Sequence, residues 1–203
     1  MSGPWIKICG LLTADAIDAA LSCEVDAIGF VFAASLRKVE PARAAELAAP
    51  ARGRVRCVAV MRHPSQAELD SVLAEFRPDV LQTDIEDFAA LELPAQLERL
   101  PVVRAGHRQV RLPERLLFEG PASGSGLVTD WNEASTLATG HQVILAGGLD
   151  PVNVSAAIER VRPFGVDVSS GVELRPGIKS VERIVSFVAA ARSGCRRTEV
   201  LAR

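Results

Sequence analysis

Two stretches of this chain run an apolar segment into small, flexible residues in a pattern that suits an anion. Val143-Ile144-Leu145-Ala146 leads into Gly147-Gly148, and Gly165-Val166-Asp167-Val168 leads into Ser169-Ser170-Gly171. Without a Cβ, glycine lets backbone N–H groups turn towards a ligand and come close to it. Two such turns, each at the C-terminal end of a parallel strand, make a cradle of donors for a phosphate group. Tight turns with no ligand are the competing explanation, but both turns fall in the same register, which favours a phosphorylated substrate. Gly147, Gly148, Ser170 and Gly171 are the candidate phosphate-binding residues. Asp150-Pro151 follows the first turn as a helix start, with aspartate as N-cap and proline as first helical residue.

Other residues could carry acid–base chemistry. In Lys7-Ile8-Cys9-Gly10 a period of two puts Lys7 and Cys9 on one face and Ile6 and Ile8 on the other. If the isoleucines meet outer helices, Lys7 and Cys9 point inward, with Cys9 at the strand end. There it could act as a general base or nucleophile; a small buried core residue is the equal alternative. Cys23 and Cys57 fit the core reading better. Lys7 has a structural partner in Asp167, because neither charge is tolerable alone inside a core. Arg37 ends Ser35-Leu36-Arg37 and could grip a planar carboxylate with two parallel hydrogen bonds, or simply lie in solvent. Glu119 closes the apolar run Leu116-Leu117-Phe118 ahead of a glycine-serine loop. It is a candidate general acid, and equally a solvated strand end.

The elements that must position these residues repeat one unit. Strands are expected at Trp5–Cys9, Ala27–Phe32, Arg54–Met61, Val80–Gln82, Val102–Arg104, Leu116–Glu119, Val143–Ala146 and Val166–Val168. Helical patterns lie at Ala14–Cys23, Pro41–Ala49, Gln66–Phe76, Trp131–Ala138, Val152–Val161 and Val181–Ala191. Eight strands alternating with helices predict an α/β fold, a single compact (β/α)₈ TIM barrel over residues 1–193, with a polar C-terminal tail over 194–203 that is expected to fray. The helix after the fourth strand is weak, and the helix after the fifth is weak or missing. An open doubly wound sheet is the competing architecture, but Gly124-Ser125-Gly126 lacks the last glycine of the dinucleotide fingerprint and comes too late in the chain. In a barrel the loops after the last two strands are the usual phosphate site. Cys9 and Glu119 would then face each other across the mouth, with Arg37 to one side. That layout suits an acid–base pair working on opposite sides of a phosphosugar.

Bulk properties narrow the partners. The chain has 203 residues, 48% of them hydrophobic, and a net charge of -2. This argues against nucleic-acid binding and an acidic tail. No run approaches the roughly 18 apolar residues of a membrane span. The opening MSGPWIKICG has no charged n-region or apolar h-region, so no signal peptide is expected. Cys9, Cys23, Cys57 and Cys195 form no CxxC pair, and His63, His107 and His141 form no evident metal set. Reduced thiols and a cytoplasmic location are expected, with no metal, as monomer or homodimer.

The residues also carry a resemblance. Lys7-Ile8-Cys9-Gly10, Gly29-Phe30-Val31-Phe32 with Ser35-Leu36-Arg37, Gln82, Gly124-Ser125-Gly126 with Asp130-Trp131, Ala146-Gly147-Gly148-Leu149, Asp167 to Glu173 and Pro176-Gly177 follow the order and spacing of the phosphoribosylanthranilate isomerase family. The chain resembles that family over nearly its whole length. The resemblance implies a (β/α)₈ enzyme of tryptophan biosynthesis that uses no cofactor. Its reaction is the Amadori rearrangement of N-(5'-phosphoribosyl)anthranilate to 1-(2-carboxyphenylamino)-1-deoxyribulose 5-phosphate. It implies Cys9 as general base, Glu119 as general acid in place of an aspartate, and Arg37 for the anthranilate carboxylate. The phosphate falls to amides of the turns holding Gly147, Gly148, Ser170 and Gly171. Departures are Glu119 itself, Thr83-Asp84-Ile85 where leucine, histidine and glycine are usual, and Leu36 where proline is common. A non-catalytic phosphosugar-binding paralogue of the same barrel is the alternative. An aminoimidazole-carboxamide ribotide isomerase ranks lower, since that family has an aspartate in the place of Cys9.

Overall fold

In a computed structural model that describes residues 3–106, 111–120 and 129–201, with backbone alone after 194, eight parallel strands close into a barrel in sequence order. The strands are β1 (Trp5–Cys9), β2 (Ala27–Val31), β3 (Arg56–Val60), β4 (Val80–Asp84), β5 (Glu98–Arg104), β6 (Arg115–Glu119), β7 (Gln142–Leu145) and β8 (Gly165–Val168). Their alternation sorts side chains into two cores. Ala27, Val58, Val80, Leu100, Val102, Leu117, Ile144 and Ala146 fill the barrel interior, while the intervening Ile6, Ile8, Phe30, Phe118 and Val166 pack outward against helices. The barrel closes where β8 pairs with β1, Lys7 opposite Asp167 and Trp5 opposite Gly165. A Cβ on Gly165 would lie 2.5 Å from the Trp5 carbonyl oxygen, so only glycine lets the seam draw together there.

The outer layer is α1 (Ala14–Ser22), α2 (Pro41–Ala48), α3 (Gln66–Glu75), α4 (Trp131–Ala138), α5 (Val154–Val161) and α6 (Val181–Leu201). Local sequence starts several of them. Thr13 caps α1, Pro41 opens α2, Ser65 and Glu68 form a reciprocal capping box on α3, and Asp130 accepts from the amides of Asn132 and Glu133 at α4. α6 runs past Ala191 to Leu201.

The weak places in the pattern have physical counterparts. After β4 a 3₁₀ segment, Ile85–Ala89, replaces an α-helix, and no helix lies between β5 and β6 among the described residues. β5 begins at Glu98, before the expected Val102, and carries Pro101. β6 pairs only with Val102 to Arg104, so the proline lies where β5 is still an edge. The helix expected to start at Asp150-Pro151 starts instead at Val154. Asp150 accepts from the amides of Val152 and Asn153, and so caps a turn that precedes the helix. A short antiparallel hairpin after β8, β9 (Glu173–Arg175) and β10 (Ile178–Lys179), turns at Gly177, whose φ is 84°.

Candidate active site

The C-terminal ends of β1 and β8 bring Cys9, Lys7 and Asp167 together inside the barrel. Lys7 is fully buried, and its Nζ lies 2.9 Å from Asp167 Oδ1. Burial alone would lower the Lys7 pKa, but Asp167 and Cys9 outweigh it and hold the ammonium above its ordinary value. Cys9 is raised as well, against what a base needs: burial pushes its thiol up, and charge and hydrogen bonding from Lys7 with charge from Lys179 pull it back only in part. Gly29, paired with Cys9 across the ladder, makes room for this group. A Cβ there would stand 3.1 Å from Cys9 Sγ and 3.1 Å from Lys7 Cε. Cys23 and Cys57 lie elsewhere, and burial pushes Cys57 up to about 11.

Arg37 reaches over the end of β1, where a Cβ on Gly10 would meet its Cδ at 2.7 Å. Its guanidinium is already half engaged. Nε lies 2.7 Å from Glu173 Oε1 and Nη2 2.8 Å from Glu173 Oε2. Lys179, buried, donates to the same carboxylate at 2.7 Å, to the Ser169 carbonyl at 3.0 Å and to Ser169 Oγ at 3.2 Å. Burial would raise Glu173, and its two cations overcome this and hold it below the ordinary carboxylate value. The sequence reading assigned no role to Glu173 or Lys179. The signal was present in Pro176-Gly177, a turn dipeptide between two short runs that folds Lys179 back onto Glu173.

The turns after β7 and β8 touch one another. A Cβ on Gly171 would fall 1.9 Å from the Leu149 carbonyl oxygen, so glycine at this place lets the two loops pack edge to edge. Gly147 and Gly148 take φ values of 89° and 66°. Among the described residues, the amides of Gly147, Gly148, Ser170 and Gly171 donate to no acceptor in the protein. Four backbone donors on adjoining turns suit an anion.

Across the mouth, Glu119 ends β6 with its side chain on the inward face. Arg104 Nη1 lies 2.5 Å from Glu119 Oε1, and Arg104 Nη2 lies 2.6 Å from Asp84 Oδ1. Behind them, His63 places Nε2 3.3 Å from Asp84 and Nδ1 2.9 Å from Asp87. These three could each offer a ligand atom to a metal ion, but the two ring nitrogens already face separate carboxylates and Asp84 faces a guanidinium. Gln82 is buried on the inward face of β4, and its Oε1 has no partner among the described residues. Gly124, Ser125, Gly126 and His107 lie outside the described residues.

Comparison with known proteins is consistent along the chain. The family described as N-(5'-phosphoribosyl)anthranilate (PRA) isomerase matches residues 6–190. The N-(5'-phosphoribosyl)anthranilate isomerase of Rhizobium etli is 38% identical over 94% of this chain and 95% of its own length. The crystal structure of TrpF from Jonesia denitrificans superposes with a TM-score of 0.79 at 35% identity, covering 94% of this chain and 98% of that one. A phosphoribosyl anthranilate isomerase solved in complex with reduced 1-(o-carboxyphenylamino)-1-deoxyribulose 5-phosphate gives a TM-score of 0.76 at 26% identity, covering 94% and 99%.

Proposed function

The chain belongs to the N-(5'-phosphoribosyl)anthranilate isomerase family, an enzyme family of tryptophan biosynthesis, and from that membership we propose that Cys9 and Glu119 are the base and acid of its Amadori rearrangement. The observation that carries this reading is the placement of both side chains on inward positions at C-terminal strand ends, on strands three apart around the closed barrel. The four free amides of the β7 and β8 turns support phosphate binding by Gly147, Gly148, Ser170 and Gly171. Arg37 keeps its Nη1 side for the anthranilate carboxylate while Glu173 holds the other edge. Gln82 Oε1 offers an acceptor to a sugar hydroxyl.

Glu119, protonated, gives its proton to the ribose ring oxygen. The C1–O bond breaks as the anthranilate nitrogen lone pair forms C=N. Cys9, as thiolate, removes the proton from C2, and the electrons pass to nitrogen to give an enolamine. Protonation at C1 and loss of the enol proton then yield the ketone. The competent arrangement has the proton on Glu119 and the charge on Cys9. Lys7 and Lys179 stabilise that charge against the cost of burial. Lys7 and Asp167 support the site by holding each other.

The test is turnover of freshly prepared phosphoribosylanthranilate, followed by loss of its fluorescence. The wild type is expected to turn over, with Cys9→Ser and Glu119→Gln each slower by about 10²–10⁴-fold, the usual contribution of one acid–base group. An inactive wild type that still binds substrate would make the chain a binding paralogue instead.

A further inference from the structure

Three charged side chains close β4, β5 and β6 next to one another: Asp84, Arg104 and Glu119. Arg104 is Glu119's register partner on the neighbouring strand. Its Nη1 lies 2.5 Å from Glu119 Oε1 and its Nη2 2.6 Å from Asp84 Oδ1. All three side chains are largely shielded, at 20%, 13% and 6% exposure for Arg104, Glu119 and Asp84. The far oxygen of Asp84 faces His63 at 3.3 Å and Arg62 at 3.7 Å. Asp87 in turn accepts from the His63 amide and the Thr83 hydroxyl, which ties the chain of contacts to the loops after β3 and β4.

We propose that Arg104 is a positioning residue for the acid Glu119, with Asp84 as the counter-charge through which it does so; the proposal rests on the assignment of Glu119 as general acid. Glutamate has one more rotatable bond than aspartate and reaches about 1 Å farther, and displacements of that size can cost a hundredfold in rate. A fork held at both ends removes that freedom. The second carboxylate answers an electrostatic need. Arg104 paired with Glu119 alone would hold the glutamate ionised, with no proton to give. Sharing the guanidinium with a second carboxylate weakens that hold. Asp84 in turn faces two further basic side chains, His63 and Arg62, on its far oxygen.

Steady-state kinetics on the full chain test this, with circular dichroism confirming that each variant folds. Arg104→Gln is expected to lower kcat by about 10- to 100-fold, the range for a misplaced catalytic group, and to leave KM within about threefold. Arg104→Lys should recover only part of the loss, since a point charge cannot span both carboxylates. Asp84→Asn should lower kcat less, and Asp84→Asn/Arg104→Gln should be no worse than Arg104→Gln alone, because Asp84 acts through Arg104. Unchanged kcat in Arg104→Gln overturns the proposal. So do a loss confined to KM and effects that multiply in the double variant. Should Arg104→Gln not fold, Arg104→Lys and Asp84→Asn decide it by the same split, and wild-type kcat in both overturns it. Glu119→Gln separates the two readings: full activity there removes the acid assignment itself, whereas its inactivity beside silent Arg104 variants removes only the positioning role.

Discussion

Cys9 is set between opposing influences. Burial raises its thiol above the ordinary value, and Lys7 and Lys179 draw it down while Asp167 pushes it up. A cysteine base works deprotonated, so kcat/KM should climb with pH as its pKa is approached from below. Removing a cation raises that pKa further. Lys179→Met is therefore expected to move the climb to higher pH, while Lys38→Met, an exposed lysine paired with Glu40, leaves it in place. Profiles of kcat/KM between pH 6 and 9.5 check this, and a Lys179→Met profile that overlays the wild type would show that Lys179 does not act on the titrating thiol. At this scale the sequence disclosed whatever depends on alternation alone. Lys7 and Cys9 share the inward face because Ile6 and Ile8 must face helices, and Asp167 meets Lys7 because neither is stable alone. Glu173 and Lys179 were missed as a pair, since their meeting depends on a hairpin of five described strand residues that periodicity does not register and that only the Pro176-Gly177 turn marks.

At the scale of elements, the turns after β7 and β8 act as one unit because Gly171 packs on the Leu149 carbonyl. Any Cβ there must push the turns apart, and on the proposed reading it carries their amides off a shared phosphate. Hydrogen bonds to charged groups contribute about 1.5–3 kcal/mol each, so Gly171→Ala is expected to raise KM by roughly tenfold or more. Competitive inhibition by inorganic phosphate should weaken in parallel, with kcat less affected. Gly140→Ala, where a Cβ meets nothing within 4 Å, serves as the control. Equal KM in the two variants would remove Gly171 from phosphate binding. Helices were legible wherever a cap or a proline marks the start, as at Pro41 and Ser65. Asp150-Pro151 misled because the same residues that start a helix also start a capped turn, and only the bonds from Val152 and Asn153 distinguish the two.

For the whole molecule, the decisive step is closure, and closure is where an open sheet and a barrel part. Alternating strands and helices are common to both folds, so the periodic pattern could not separate them. The seam itself offers a criterion, because in an open sheet β1 and β8 would not pair and Lys7 and Asp167 would each lie buried alone. In the barrel they meet at 2.9 Å, on a ladder that runs from Trp5–Gly165 to Ile8–Val168. Leaving one member of a buried pair uncompensated costs about 3–5 kcal/mol, whereas replacing both with apolar groups costs far less. Lys7→Met and Asp167→Leu are each expected to lower unfolding stability by about that amount, measured by urea denaturation. Lys7→Met/Asp167→Leu should lose clearly less than the two losses summed. Both singles act on the same seam, so their coupling reads the contact directly. If the losses simply add, the two charges do not stabilise each other, and the seam would be held by its ladder and by the packing of Trp5 over Gly165 alone.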